Sequence, residues 1–120
     1  MQSVKEIHEI INHSNGTTAY HKISRSDVFP VITDGVLAVA EAAECYWLLD
    51  VIGSYQTNPK LDKNFQVWKL KVNKTDSSAV VRGYNDITLI ITQEIHYTNF
   101  PLDEISFYLI GGVLLLPSEY

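Results

Sequence analysis

Apolar and polar residues first recur with the period of an α-helix. In the first thirteen residues, apolar positions are spaced by three and four, which predicts a short amphipathic helix over residues 3–13. Ser3 and Glu6 stand at the spacing of a capping box. We expect this helix to end at Asn15-Gly16, since this dipeptide favours a turn.

A second helical pattern is longer and richer in Ala and Leu. Asp34 is suited to cap its start, and the run predicts the main helix of the protein over about residues 35–57. Whether this helix is continuous or kinked near Cys45 is left open by the pattern. Gly53 and the Asn-Pro pair at 58–59 mark its end.

After residue 60 the period changes from 3.6 to 2, which indicates strands. Short turns separate consecutive strands, so an antiparallel arrangement is expected. Gly111-Gly112 is the signal of a two-residue hairpin. Residues 24–30, up to Pro30, are predicted to be a loop. The predicted strands cover residues 18–23, 65–73, 79–84, 87–97, 105–110 and 113–116.

This order of elements predicts the α+β class. We expect an antiparallel sheet of about five to six strands, with one long helix packed on a face and a short N-terminal helix. The 120 residues, 46% hydrophobic and 19% charged, fit a single globular domain over residues 1–120.

Composition also limits the setting of the protein. A single Cys excludes an internal disulfide, and the charged first residues lack a signal peptide, which predicts a cytoplasmic location. The longest nearly uncharged apolar run, residues 106–117, is shorter than the roughly 20 residues of a membrane span, so no membrane partner is expected.

The net charge of -5 conceals an uneven distribution. Between residues 60 and 82, six basic and two acidic residues give 6 − 2 = +4, which leaves −9 for the rest. Lys69 and Lys71 share one face of a predicted strand, and Arg82 follows on the next. These residues form either a solvated edge strand protected by Lys or a docking patch for an acidic protein surface or phosphates. The acidic total makes nucleic acid an unlikely partner.

Four polar or aromatic residues stand where a binding site could form. Gln93 lies in the apolar row of the strand 87–97, so it needs a hydrogen-bond partner or faces a cavity. Asp50 lies beside Trp47 in the middle of the apolar face if the main helix is continuous, and is unremarkable if the helix breaks at Cys45. His96 stands near Glu94 on the polar face of its strand.

Signatures of catalysis and of metal binding are missing from the sequence. It has no phosphate-binding loop, no nucleophile elbow and no H-E-x-x-H motif. His8 and His13 are five residues apart and do not share a helix face, and Cys45 has no evident His partner. We therefore predict no catalytic residue, no metal ligand and no cofactor.

Four stretches together resemble a known family: T-D-G at a helix start, W-L-L-D, F-Q-V-W-K-L, and L-L-P-S-E-Y. Over about residues 31–120 the chain resembles an uncharacterised family of small bacterial and phage proteins, classed only as a domain of unknown function. The resemblance implies no activity, substrate, cofactor or catalytic residue.

Three functions remain for the protein. The first, which we favour, is a non-enzymatic interaction module that binds a second copy of itself or an acidic protein partner. The second is a small-molecule binder or hydrolase-like enzyme with a site around Asp50 and Gln93, with Trp47 and His96. The third is a nucleic-acid mimic, or a nucleic-acid binder that uses the basic segment, whose affinity would fall steeply with salt.

Overall fold

Seven strands form one mixed sheet, and three helices pack on one of its faces. The computed structural model describes residues 1–14 and 19–120. The elements in chain order are α1 Val4–His13, β1 Tyr20–Lys22, β2 Val31–Thr33, α2 Asp34–Ala42, α3 Tyr46–Ser54, β3 Gln66–Asn73, β4 Ser78–Asn85, β5 Thr88–Ile95, β6 Glu104–Ile110, β7 Val113–Leu115 and a 3-10 turn Pro117–Glu119.

The strand order is β1-β2-β7-β6-β3-β4-β5, with β2 and β7 parallel and the other described pairs antiparallel. The α+β class is confirmed, whereas a fully antiparallel sheet of five to six strands is wrong. The missing element is β2, because three residues between Pro30 and a helix are too few to show alternation. Its pairing with β7 supplies the parallel step.

The predicted main helix is in fact two helices, α2 and α3. Glu44 between them has a positive φ of 52°, and the Cys45 N–H donates to the Ala40 carbonyl at 3.0 Å. This six-to-one hydrogen bond, with a left-handed residue before it, is a Schellman motif that ends α2. The prediction of a single long helix over 35–57 is therefore wrong. The break lies next to Cys45, where the sequence pattern allowed a kink.

A fully bonded pair of buried amides lies in the core. The Gln56 and Gln66 side chains donate to each other's oxygen atoms at 3.0 Å, and Trp68 Nε1 donates to Gln66 Oε1 at 2.8 Å. The other amide hydrogens reach the carbonyls of Ile52 and Asp62, both at 3.1 Å. The F-Q-V-W stretch thus builds a saturated core network, in which no buried polar atom needs a ligand.

The T-D-G and P-S-E-Y stretches meet at the start of α2. Thr33, rather than Asp34, is the N-cap, because its Oγ1 accepts from the Val36 N–H at 3.2 Å. The same hydroxyl donates to Glu119 Oε1 at 2.7 Å. A Cβ on Gly35 would lie 2.7 Å from that oxygen, so glycine leaves room for the carboxylate.

The core face predicted for β5 is right in the middle of the strand and wrong at its ends. Gln93 lies opposite a buried residue of β4, as expected. The register shifts beside Tyr84, however, so Leu89 pairs with Tyr84 on the opposite face and is 48% exposed. Ile87 and Tyr97 lie outside the strand and are 88% and 72% exposed.

The first helix is confirmed, with a complete capping box between Ser3 and Glu6. The turn expected at Asn15-Gly16 and the start of the strand predicted from Thr18 lie outside the described residues; the strand itself is found as β1. Within the described ranges, none of the helices has the length and apolar character needed to cross a membrane.

Candidate interaction surface

The helices lie on one side of the sheet, and on the other side the C-terminal turn and Tyr120 pack against β6 and Phe65 and leave the strands otherwise exposed. Residues of β3, β6, β7 and most of β4 alternate between buried and more exposed positions, so the more exposed side chains share one face of the sheet. We call this side the open face.

Strand register orders the open face into three transverse rows across β6, β3, β4 and β5. Successive rows lie about 6.8 Å apart, because an antiparallel strand rises about 3.4 Å per residue. The first is aromatic and aliphatic, the second contains two cations between two hydroxyls, and the third has a carboxylate at each end. The apolar row is Tyr108, Val67, Tyr84 and Leu89, the cationic row is Ser106, Lys69, Arg82 and Thr92, and the acid-flanked row is Glu104, Lys71, Val80 and Glu94.

The cationic row places two like charges side by side. Lys69 and Arg82 are directly opposite on neighbouring strands, where Cβ atoms are about 4.5–5.5 Å apart and like charges are destabilising. Lys69 Nζ lies 5.3 Å from the ring centroid of Tyr84, a cation–π contact. Among residues 1–14 and 19–120, neither cation has a carboxylate oxygen within 4.0 Å.

Lys71 has a different environment in the acid-flanked row. It lies opposite Glu104 on β6, while Glu94 ends the row on β5. The charges of this row can therefore offset one another across the strands. Of the three cations in these rows, Lys69 and Arg82 are the two without a carboxylate directly opposite on a neighbouring strand.

A groove lies over the apolar row. The Phe65 ring is 5.6 Å from that of Tyr108 and 6.1 Å from that of Tyr120, and the last two are 5.4 Å apart in an edge-to-face arrangement. The groove has a volume of about 490 Å³ and extends from this cluster to Lys69 on one side and Asp86 on the other. It joins apolar surface to a cation.

Three of the seven binding residues predicted from the sequence lie together on the open face: Lys69, Lys71 and Arg82. Two other lysines of the basic segment are bonded to the backbone: Lys63 donates to the Gln56 carbonyl and Lys74 to that of Phe100. An edge strand protected by Lys is wrong, because β3 lies between β6 and β4.

The predicted small-molecule site around Asp50 and Gln93, with Trp47 and His96, does not form a shared cavity. Asp50 is exposed on α3, since the break before this helix removes it from any apolar face. Gln93 Oε1 accepts from the Tyr55 hydroxyl at 2.6 Å, which is a structural partner. Trp47 packs half-buried against the core, and His96 is exposed beyond the end of β5.

A second cleft, of about 480 Å³, lies near the buried amide pair. Gln56 and Gln66 line it, but their side-chain groups are already bonded to each other. The ammonium of Lys63 at its rim is bonded to the carbonyl of Gln56. Since these polar groups are occupied, this cleft offers less for recognition than the open face.

The other chemically reactive groups are the Cys45 thiol, which is buried, and the His, Asp and Glu side chains. Burial raises the pKa of the Cys45 thiol to about 12, so it is not a nucleophile near neutral pH. No group of three or more His, Cys, Asp or Glu side chains suited to a metal ion occurs within the described ranges.

Exposed charge on the helices is mostly negative. Lys5 is exposed on α1, but carboxylates dominate. The exposed carboxylates on the helices and on the turn between α2 and α3 are Glu6, Glu9, Glu41, Glu44 and Asp50.

Sequence reasoning missed the aromatic part of the surface, above all Tyr84 and Tyr108. The signal was available in the four-residue turn between Asn73 and Ser78, which fixes the register of β3 against β4. Counting back along both strands from this turn pairs Lys69 with Arg82. The position of β6 beside β3 has no comparable local signal.

These features define an α+β protein with a helix-covered mixed sheet and one solvent-facing sheet surface that is ordered by chemistry. The chain belongs to the Family of unknown function (DUF6876), whose family model matches residues 5–120. This match confirms the resemblance to an uncharacterised family and extends it to include α1. No curated protein and no solved structure matches the chain.

Proposed function

We propose that this protein is a non-enzymatic interaction module whose open face binds a partner protein through an acidic surface. The observation that carries the proposal is the pair Lys69 and Arg82, which lie directly opposite each other. Neither side chain has a carboxylate oxygen of residues 1–14 or 19–120 within 4.0 Å. This arrangement costs the free fold some stability. Carboxylates of a partner would neutralise the pair.

The same observation favours an acidic partner over a second copy. A two-fold dimer centred on the cationic row would bring four cations together, which opposes association. A partner carboxylate instead gains two charge-assisted contacts, with the hydroxyls of Ser106 and Thr92 as neighbouring hydrogen-bonding groups. We place this function in the cytoplasm, where a reducing environment suits a single buried thiol.

Binding of a labelled decaglutamate peptide, followed by fluorescence anisotropy, tests the proposal. We expect Lys69→Gln and Arg82→Gln each to weaken binding by about three- to fivefold, the range for an exposed ion pair. Lys60→Gln is the matched control, because it removes an exposed charge from the same basic segment but outside the strands that form the open face. We expect this control to bind like the unchanged protein.

Three results would overturn the proposal. Equal loss of affinity in all three variants would mean that only net charge matters. Tighter binding of a single-stranded oligothymidylate than of the peptide would indicate a nucleic-acid partner. A dimer in sedimentation that Arg82→Gln abolishes would indicate a second copy of the chain.

A further inference from the structure

The rows of the open face also specify what the partner presents. We infer that the acidic partner inserts an apolar side chain, an aromatic one above all, beside its carboxylates, so that the apolar group fills the groove while the carboxylates meet the cationic row. This inference rests on the proposed function and adds a binding pattern to it.

The groove adjoins the cationic row. It lies over Val67 and Tyr84 of the apolar row, and Lys69 and Ser106 line it on the side of the cationic row. Val67 and Lys69 are neighbours on the same face of β3, about 6.8 Å apart along the strand. An apolar anchor and a carboxylate two residues apart in an extended segment have this same spacing.

The two ends of the groove carry opposite charges. Lys69 lies at one end, and Asp86 lies at the other, in the turn after β4. A partner carboxylate is attracted to the first end and repelled from the second. The carboxylate therefore lies on the Lys69 side of the anchor.

The groove walls are rich in aromatic surface. Phe65 and Tyr108 line the groove with their surface partly exposed, and the Tyr120 ring contacts both of them. Aromatic rings offer large apolar area and edge-to-face contacts to an inserted ring. Ile87 also lines the groove and is 88% exposed, so an inserted side chain would cover it.

Two short capped peptides test this pattern: Phe-Ser-Glu-Ser-Glu flanked by serines, and the same peptide with Ala in place of Phe. We expect the Phe peptide to bind the unchanged protein about five- to tenfold more tightly, through partial burial of its ring. Arg82→Gln should weaken both peptides by a similar factor and preserve their ratio. Val67→Asn should bring the ratio close to one.

The possible failures are distinguishable. Equal affinities of the two peptides for the unchanged protein, with both weakened by Arg82→Gln, would overturn the anchor and leave the acidic-partner proposal standing. No effect of Arg82→Gln on either peptide would overturn the proposed function itself. If Val67→Asn does not fold, ring-current shifts of the Val67 methyl signals decide: we expect them with the Phe peptide only, and their absence would contradict the anchor.

Discussion

Neutralising Arg82 should stabilise the protein, although a surface arginine is removed. Arg82 pairs with Lys69 on one neighbouring strand and with Thr92 on the other. Within the described residues, no carboxylate oxygen lies within 4.0 Å of its side chain. Two unit charges about 7 Å apart repel by about 0.6 kcal/mol in a medium with the dielectric constant of water. Glutamine keeps part of the stem that packs on the sheet, so Arg82→Gln isolates the charge.

We therefore expect Arg82→Gln to raise the free energy of unfolding by about 0.5 kcal/mol, within the range of cross-strand charge pairs. In thermal denaturation this is an increase in Tm of about 1–3 °C for a domain of this size. The matched control is Lys71→Gln, also on the open face. Since Lys71 lies opposite Glu104, its neutralisation should lower Tm by a similar amount.

Salt tests the electrostatic origin of this difference. The Debye length falls from about 30 Å at about 10 mM salt to about 3 Å at about 1 M, so the opposite shifts of Arg82→Gln and Lys71→Gln should both shrink toward zero. The reasoning is refuted if Arg82→Gln lowers Tm at low salt as Lys71→Gln does. It is also refuted if the gap between the two variants persists at high salt.

Three further predictions concern the fold. Glu44→Gly should be about 1 kcal/mol more stable than Glu44→Ala in urea denaturation, because both lack the carboxylate and only glycine adopts a positive φ freely; equal stabilities would contradict this. Gly83→Ala should lose about 2 kcal/mol or more in the same assay, because its Cβ would lie 2.6 Å from the buried Trp68 ring; unchanged stability would show that the ring can move. The Cys45 thiol, whose pKa burial raises to about 12, should react with Ellman's reagent at neutral pH only after unfolding, and rapid reaction of the folded protein would contradict its burial.

Local signals predicted those parts of the fold that depend on neighbouring residues. The Ser3–Glu6 capping box forms as its spacing indicates, and Gly111 and Gly112 take positive φ values of 57° and 82° in the predicted hairpin. Lys69 and Lys71 share a face because alternation is a property of the strand itself. Each of these features is decided within a few residues.

The features that sequence missed depend on tertiary contacts or on a costly backbone conformation. Glu44 ends α2 in a left-handed conformation that glycine would have signalled, whereas a glutamate there carries no such mark. Strand β2 exists because β7 lies beside it, with Val31 paired to Val113. The irregularity beside Tyr84 turns Leu89 toward the open face against its alternation.

The candidate surface shows why a charge count along the chain is an incomplete guide to a binding site. The segment 60–82 has a net charge of +4, but Lys63 and Lys74 donate to the backbone carbonyls of Gln56 and Phe100. What distinguishes Lys69 and Arg82 is their register, which places two cations side by side with only hydroxyl groups at the ends of their row. Like charges in contact oppose folding, and the acidic partner that we propose would offset this cost on binding. If Arg82→Gln raises the free energy of unfolding and weakens peptide binding, the Arg82 charge costs stability and contributes to affinity.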